Sequence, residues 1–297
     1  MRMTFESLLN VRIPFGVNLA VTDLCNSHCE HCILKSIRQD KIPLSREEIL
    51  RCITECQELG VSTINLLGGE PLMNRDLMEI IQLTDTAKVN LLLFTNGSLL
   101  TENASGLKKA GLKRIMVSID FPEAEKHNAF RRQKGLFEKA VQGIIQAKKK
   151  GMLLGVSTTI TPKTTVEDLS GIFELCKTLG VCEVFLSKEY DPEKMAFYHD
   201  FLDDEFYALV KKVNRNNKYR FGIFYYPFFC DVSFGCTAGA TRLYISPYGD
   251  ITPCECSRKS FGNIRTERLR TVWEKMYRSP HLGFVTKEGC RAKRGII

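Results

Sequence analysis

No run in this 297-residue sequence approaches the roughly 18 apolar residues of a helical membrane span. The first twelve residues, Met1 to Arg12, carry charges throughout and hold no apolar stretch of signal-peptide length. Sequence-level repeats are also missing. These absences predict a cytoplasmic protein without a membrane span, and in that compartment twelve cysteines are metal ligands or reduced thiols rather than disulfides. Hydrophobic residues at 44% and charged residues at 26% are ordinary for a globular chain. The length suits one large α/β domain or a large domain with a small one. Aromatic-and-basic interleaving is lacking too, so the net charge of +8 does not point to nucleic acid. A solvated basic face, or an acidic substrate or partner, accounts for it. Lys148, Lys149, Lys150, Lys211 and Lys212 fall at predicted helix ends, where cations suit the macrodipole.

Between Phe15 and about Tyr225, short apolar or β-branched runs alternate with longer amphipathic segments. The strand candidates are 16–21, 63–67, 90–95, 114–119, 154–159 and 183–187. The helical candidates are 46–59, 75–86, 102–110, 136–149, 166–179 and 205–214. Ser45 with Glu48 forms a capping box, and Thr101 and Thr165 precede acidic residues as further caps. Gly60, Gly111, Gly151 and Gly180 stand where helix-ending glycines are expected. Six such repeats predict a parallel sheet with helices outside it. Periodicity leaves open whether that sheet is doubly wound or an open barrel.

Directly after the first strand candidate lie Cys25, Cys29 and Cys32, a C-x3-C-x2-C spacing with no local fourth cysteine. A structural zinc site takes four protein ligands, usually as two C-x2-C pairs. An iron–sulfur cube also has four corners, and three thiolates leave one iron open. The competing reading is a zinc knuckle that borrows His28 or His31, or three reduced core cysteines. The spacing resembles the signature of the radical S-adenosylmethionine (radical SAM) superfamily. That resemblance implies a [4Fe–4S] cluster on Cys25, Cys29 and Cys32, its open iron chelating SAM. It also chooses the fold: an α/β partial (β/α)6 barrel over residues 1–225, with the cluster on the loop after the first strand. One departure is His31, where the family usually places an aromatic ring.

The later strand ends carry further matches. Gly68-Gly69-Glu70-Pro71 resembles the family's GGEP motif, whose backbone and acidic residue hold the SAM ammonium; its glycines let backbone approach a ligand. Asn96, in Thr95-Asn96-Gly97, is implied near SAM or substrate. Ser118 and Asp120 share one face by the period of two, at the strand end that in the family bonds the SAM ribose. Arg131 takes the place of an arginine near the SAM carboxylate, while Arg132 replaces a family glycine. Ser157 belongs to another polar strand end facing the same expected site. Cys52, Cys56, Cys176 and Cys182 read as small buried hydrophobes.

Near Tyr225 the rhythm stops. Seven aromatics lie from Phe221 to Phe234, expected to pack a last strand against the barrel, with a substrate-facing apolar wall as the alternative. Cys230, Cys236, Cys254, Cys256 and Cys290 follow, with a hairpin over Pro247-Tyr248-Gly249-Asp250. The spacing C-x12-G-x4-C resembles the opening of SPASM and twitch auxiliary-cluster domains, which implies a small α+β domain over 226–297 holding a second [4Fe–4S] cluster. The chosen ligands are Cys230, Cys236, Cys254 and Cys290, with Cys256 as a spare, an alternative ligand or a hydrogen-atom donor. Zinc on the same thiolates is the alternative.

The resemblance implies an enzyme. SAM is cleaved reductively to a 5′-deoxyadenosyl radical, which takes a hydrogen atom from substrate. An external electron donor of the flavodoxin or ferredoxin type is implied as partner. The expected substrate is a ribosomally made peptide or protein; the alternative is a small metabolite, a cofactor or tetrapyrrole precursor, or a lipid. About fifteen residues precede the first strand candidate, so a peptide would need a separate leader-binding partner or direct recognition. A zinc-stabilised binding or scaffold protein is the reading from another class.

Overall fold

A computed structural model of the chain describes residues 13–34, 39–191, 196–197, 222–226, 236–280 and 282. In chain order, strand β1 (Gly16–Ala20) precedes helix α1 (Arg46–Leu59), β2 (Thr63–Leu67), α2 (Leu77–Leu83), β3 (Asn90–Thr95) and α3 (Leu100–Lys109). Then come β4 (Arg114–Ser118), α4 (Ala124–Phe130), α5 (Leu136–Lys149), β5 (Leu153–Ile160), α6 (Val166–Leu179) and β6 (Glu183–Lys188). The short pair β7 (Tyr190–Asp191) and β8 (Ala196–Phe197) leads to β9 (Gly222–Tyr226). Strands β10 (Arg242–Ile245), β11 (Asp250–Thr252) and β12 (Gly262–Asn263) and helix α7 (Leu269–Tyr277) follow.

The helix starts obey local chemistry. Ser45 with Glu48, and Thr165 with Asp168, form full capping boxes on α1 and α6. Thr101 does not cap: α3 begins one residue earlier, after Leu99. Gly60, Gly111, Gly151 and Gly180 all take positive φ just past a helix. Helix α4, absent from the periodicity reading, is only seven residues long and ends just before Arg131 and Arg132. The helical candidate over 205–214 lies outside the described residues.

Two compact units emerge, one drawn from Met1–Cys25, Ile33–Leu92 and Phe229–Ile297, the other from Asn26–Cys32 and Leu93–Phe228. In the first, strands run in the order β12-β11-β10-β1-β2, followed by β3. Strand β1 pairs in parallel with both β2 and β10, and β10 and β11 turn back as an antiparallel hairpin. The C-terminal segment therefore extends the sheet edge at β1, and for this reason it groups with the N-terminal strands. Val17, Leu19, Ile64 and Leu66 are fully buried, alternating with half-buried Asn18 and Asn65. Helix α7 buries Leu269, Val272, Trp273 and Met276. Its first amide, on Leu269, donates to the Glu55 carboxylate of α1 at 2.6 Å, which replaces the missing side-chain cap and sets a negative charge at the helix start.

In the second unit the order is β3-β4-β5-β6-β9, with β4, β5, β6 and β9 parallel in sequence. The expected last strand is thus present at β9. Cys52, Cys56 and Cys176 are wholly buried, as expected of small hydrophobes. Cys182 corrects that expectation: it is exposed, just before β6, where its thiol donates to the Leu154 carbonyl at 3.2 Å.

Candidate functional site

The loop that leaves β1 is seated on the glycine pair after β2. The Gly69 amide donates to the Thr22 carbonyl at 2.9 Å, and the Glu70 amide to the Leu24 carbonyl at 2.7 Å. A Cβ on Gly68 would stand 2.5 Å from the Thr22 oxygen, and one on Gly69 only 2.1 Å from the Leu24 oxygen. The space these glycines leave empty is therefore filled by the backbone leading into Cys25, where the sequence reading expected a ligand. Glu70 is fully buried and accepts from the Leu72 amide at 3.1 Å. Pro71 opens a short 3-10 turn that the Asn74 backbone amide closes onto the Pro71 carbonyl, and the Asn74 side chain donates to the Val21 carbonyl at 2.7 Å.

Residues 26–32 are pinned just as closely within their own unit. Asn96 donates to Asn26 Oδ1 at 2.9 Å and to Ser27 Oγ at 3.3 Å, while its own Oδ1 accepts from the Ser98 amide. Asn26 donates in turn to Ser98 Oγ, and Ser27 to Gln133. The His28 and Glu30 amides donate to the Arg131 and Phe130 carbonyls at 3.3 and 3.2 Å. His31 stacks on Phe130, with ring centroids 4.6 Å apart and planes within 15°. The departure at His31 thus keeps an aromatic's packing role.

Behind this loop lies a buried charge cluster. Asp120 is wholly enclosed; its Oδ2 accepts from Arg131 Nε at 2.6 Å and its Oδ1 from the Thr159 amide at 2.9 Å. Burial works to raise its pKa. The charges of the neighbouring Arg131 and then His31, with the Arg131 hydrogen bond, win and hold it well below the usual carboxylate range. His127 Nδ1 accepts from the Asp120 amide at 3.1 Å. Burial first, then the Arg131 and His31 charges, push its pKa down to about 4 against the pull of Asp120. The ring is therefore neutral, with its proton on Nε2. Arg132 adopts φ 50°, so this turn keeps the left-handed shape that a glycine would favour.

The structure thus places Asn96, Asp120 and the Arg131 Nε in contacts with protein. Ser118 and Ser157 stand side by side in the β4–β5 register, both half-buried. Cys236, Cys254 and Cys256 are all buried, while Cys230 and Cys290 lie outside the described residues. Sequence reasoning passed over Asn18, Asn65 and Glu255. Asn65 donates to Asn18 Oδ1 at 2.7 Å, and Asn18 donates to Glu255 at 3.3 Å. A carboxylate only accepts, so Glu255 fixes the orientation of both amides. This leaves the buried Asn65 Oδ1 without a hydrogen-bond partner among the described residues. The available signal was an asparagine at the centre of each of two parallel strands whose flanking residues are apolar.

The donor chemistry suits an iron–sulfur group. Cys25, Cys29 and Cys32 form no disulfide and lie within eight residues, on a loop whose backbone is held at both ends. Among the described residues no three His, Cys, Asp or Glu side chains converge on one ion. In a cube each thiolate takes a different iron, so that convergence is not required.

Residues 19–176 match the model of the Radical SAM superfamily, and residues 236–292 that of SPASM, an iron–sulfur cluster-binding domain. The chain belongs to the radical SAM superfamily: it is an enzyme with SAM and a [4Fe–4S] cluster as cofactors, and its SPASM region implies a further cluster. It is 30% identical over 280 residues to the AdoMet-dependent heme synthase of Methanosarcina barkeri, covering 84% of this chain and 79% of that one. It is 29% identical over 286 residues to the AdoMet-dependent heme synthase of Oleidesulfovibrio alaskensis, covering 86% and 73%. Among solved structures it resembles Streptococcus suis SuiB bound to precursor peptide SuiA, with a TM-score of 0.78 at 16% identity over 96% of this chain and 73% of that one. That resemblance shows the fold alone, a partial barrel with a small C-terminal strand domain. Among the described residues no helix is long and apolar enough to cross a membrane.

Proposed function

We propose that this enzyme acts on a small cofactor-precursor molecule of the tetrapyrrole class, and not on a peptide. The observation that carries the reading is identity to AdoMet-dependent heme synthases over more than four-fifths of the chain. The net charge of +8 suits an acidic substrate such as a tetrapyrrole carboxylate. The same charge suits a small acidic electron carrier of the flavodoxin or ferredoxin type. The peptide reading has in its favour only structural resemblance at 16% identity.

In this reading Cys25, Cys29 and Cys32 hold the first cluster. Gly68, Gly69, Glu70 and Pro71 fix the loop that carries Cys25. Ser118, Ser157 and Arg131 contact SAM, while Asn96 and Asp120 act one layer behind. Cys236 and Cys254, with Cys230 and Cys290, hold the auxiliary cluster, and Cys256 is its spare. The domains follow as 1–225 and 226–297. When bound, the cluster and SAM together supply a 5′-deoxyadenosyl radical for hydrogen abstraction. The chain's share is to hold the reacting carbon against one chosen hydrogen and to exclude other donors.

The test is anaerobic reconstitution followed by incubation with SAM, a low-potential reductant and either a tetrapyrrole carboxylate or a candidate peptide. The reading expects 5′-deoxyadenosine and a tetrapyrrole mass change to rise together. Turnover of peptide with the tetrapyrrole left intact would reverse it.

A further inference from the structure

The hairpin between β10 and β11 belongs to the C-terminal segment, yet its side chains reach the loop that carries the first cysteine group. Tyr248 sits at its turn and is buried, with 1% of its surface exposed. Its hydroxyl donates to Asp23 Oδ2 at 3.1 Å and accepts from the Gln39 amide, also at 3.1 Å. Asp23 lies two residues before Cys25, and Gln39 seven residues after Cys32. One phenol oxygen thus touches the stretch leading into the cysteine loop and the stretch leading out of it.

The rest of the turn reinforces this grip. The Leu44 amide donates to the Pro247 carbonyl at 2.7 Å. Lys41 pairs with Asp250 at 3.6 Å. The turn is itself rigid: the Ser246 hydroxyl accepts from the Tyr248 and Asp250 amides, and Asn263 donates to the Tyr248 carbonyl at 3.0 Å. From this turn β11 runs directly toward Cys254. A buried hydroxyl could find one partner far more simply. Donating to a carboxylate and accepting from an amide, at positions 16 residues apart, uses both of its functions on the two ends of one loop.

We infer that Tyr248 is a positioning residue for the first cluster: its hydroxyl clasps both ends of the cysteine loop and fixes them to the hairpin that leads to Cys254. The C-terminal segment then does more than carry an auxiliary group. It sets the stiffness of the loop on which SAM chemistry depends, and it mounts Cys25 and Cys254 on one hydrogen-bonded frame. This role is independent of which substrate the enzyme takes.

The experiment compares full-length, reconstituted wild type with Tyr248→Phe, Asp23→Ala, Asp23→Asn and the Tyr248→Phe/Asp23→Ala double variant. Phenylalanine keeps the buried ring and removes only the hydroxyl. Asparagine at 23 keeps an acceptor oxygen and serves as the rescue. The first readout is backbone hydrogen exchange in peptides covering 22–34 and 39–44, with α1 as internal reference. The second is the change that SAM produces in the electron paramagnetic resonance spectrum of the reduced first cluster. Tyr248→Phe and Asp23→Ala should each speed exchange about tenfold in those peptides, leave α1 unchanged, and broaden or shrink the SAM-induced spectral change. The double variant should be no worse than either single one, and Asp23→Asn should resemble wild type. Wild-type exchange and spectra in Tyr248→Phe would overturn the assignment, as would simple addition of the two effects. Equal speeding of exchange in α1, or a Tyr248→Phe protein that unfolds while Asp23→Ala matches wild type, would show a general packing role and also overturn it.

Discussion

Replacing Asp120 by alanine takes from the buried Arg131 guanidinium the carboxylate that neutralises it. Arg131 is only 6% exposed and Asp120 is not exposed at all, so water cannot take over the lost partner. The substitution removes the 2.6 Å bond from Arg131 Nε and leaves the Thr159 amide, now bonded at 2.9 Å, without an acceptor. Breaking one side of a buried ion pair costs about 3–5 kcal/mol, and the orphaned amide is part of that same loss. Removing both charges, as in Asp120→Ala/Arg131→Met, should return at least about 2 kcal/mol, because no bare charge then remains buried. Urea unfolding of the full chain at pH 7 measures both. A cost below about 1 kcal/mol for Asp120→Ala, or a double variant no more stable than the single one, would refute the reasoning. The same proteins separate two roles for this carboxylate. A residue that bonds SAM directly loses SAM affinity with little change in stability; one that supports Arg131 and β5 loses stability first.

Three further outcomes follow from the geometry. His127 is held neutral, with its pKa lowered from 6.5 to about 4, so the unfolded chain binds a proton there that the folded chain refuses. Stability should fall as pH drops from 6.5 toward 4, by about 2 kcal/mol at pH 5 from this group alone, and His127→Gln should remove that part of the difference between pH 7 and pH 5. Asp120 adds its own loss below the ordinary carboxylate range, since its stabilisation is present above pH 3.8 and disappears as it protonates. Gly69→Ala drives a methyl into the Leu24 carbonyl; the reconstituted variant should lose about half its iron, that of the first cluster, which metal analysis reads directly. Arg132→Gly relieves the φ 50° backbone and should raise stability by about 0.5–1 kcal/mol in chemical denaturation, the exposed pairing with Glu30 counting for little.

The alternation of strands and helices was legible because it rests on local rules. Capping boxes at Ser45 and Thr165 and apolar runs such as 63–67 and 90–95 depend on neighbouring residues alone. The cysteine spacing was legible for the same reason. The roles of individual polar residues were not, because they depend on where the loop folds back. Asn96 carries the same amide whether it meets a ligand or Asn26 and Ser27, and only the turn after β3 decides. Gly68 and Gly69 signal a close approach in sequence without naming what approaches; here it is Thr22 and Leu24. Cys182 reads as apolar by composition, yet it sits one residue ahead of β6 at the surface. The polar line of Asn18, Asn65 and Glu255 spans more than two hundred residues of sequence and becomes visible only once β1 and β2 are paired.

Cys25, Cys29 and Cys32 are proposed to hold a cluster competent to cleave SAM. Anaerobically reconstituted wild type and Cys29→Ala, each given SAM and a low-potential reductant, should differ completely in 5′-deoxyadenosine: steady formation in the first and none above background in the second. Appreciable 5′-deoxyadenosine from Cys29→Ala would contradict that proposal.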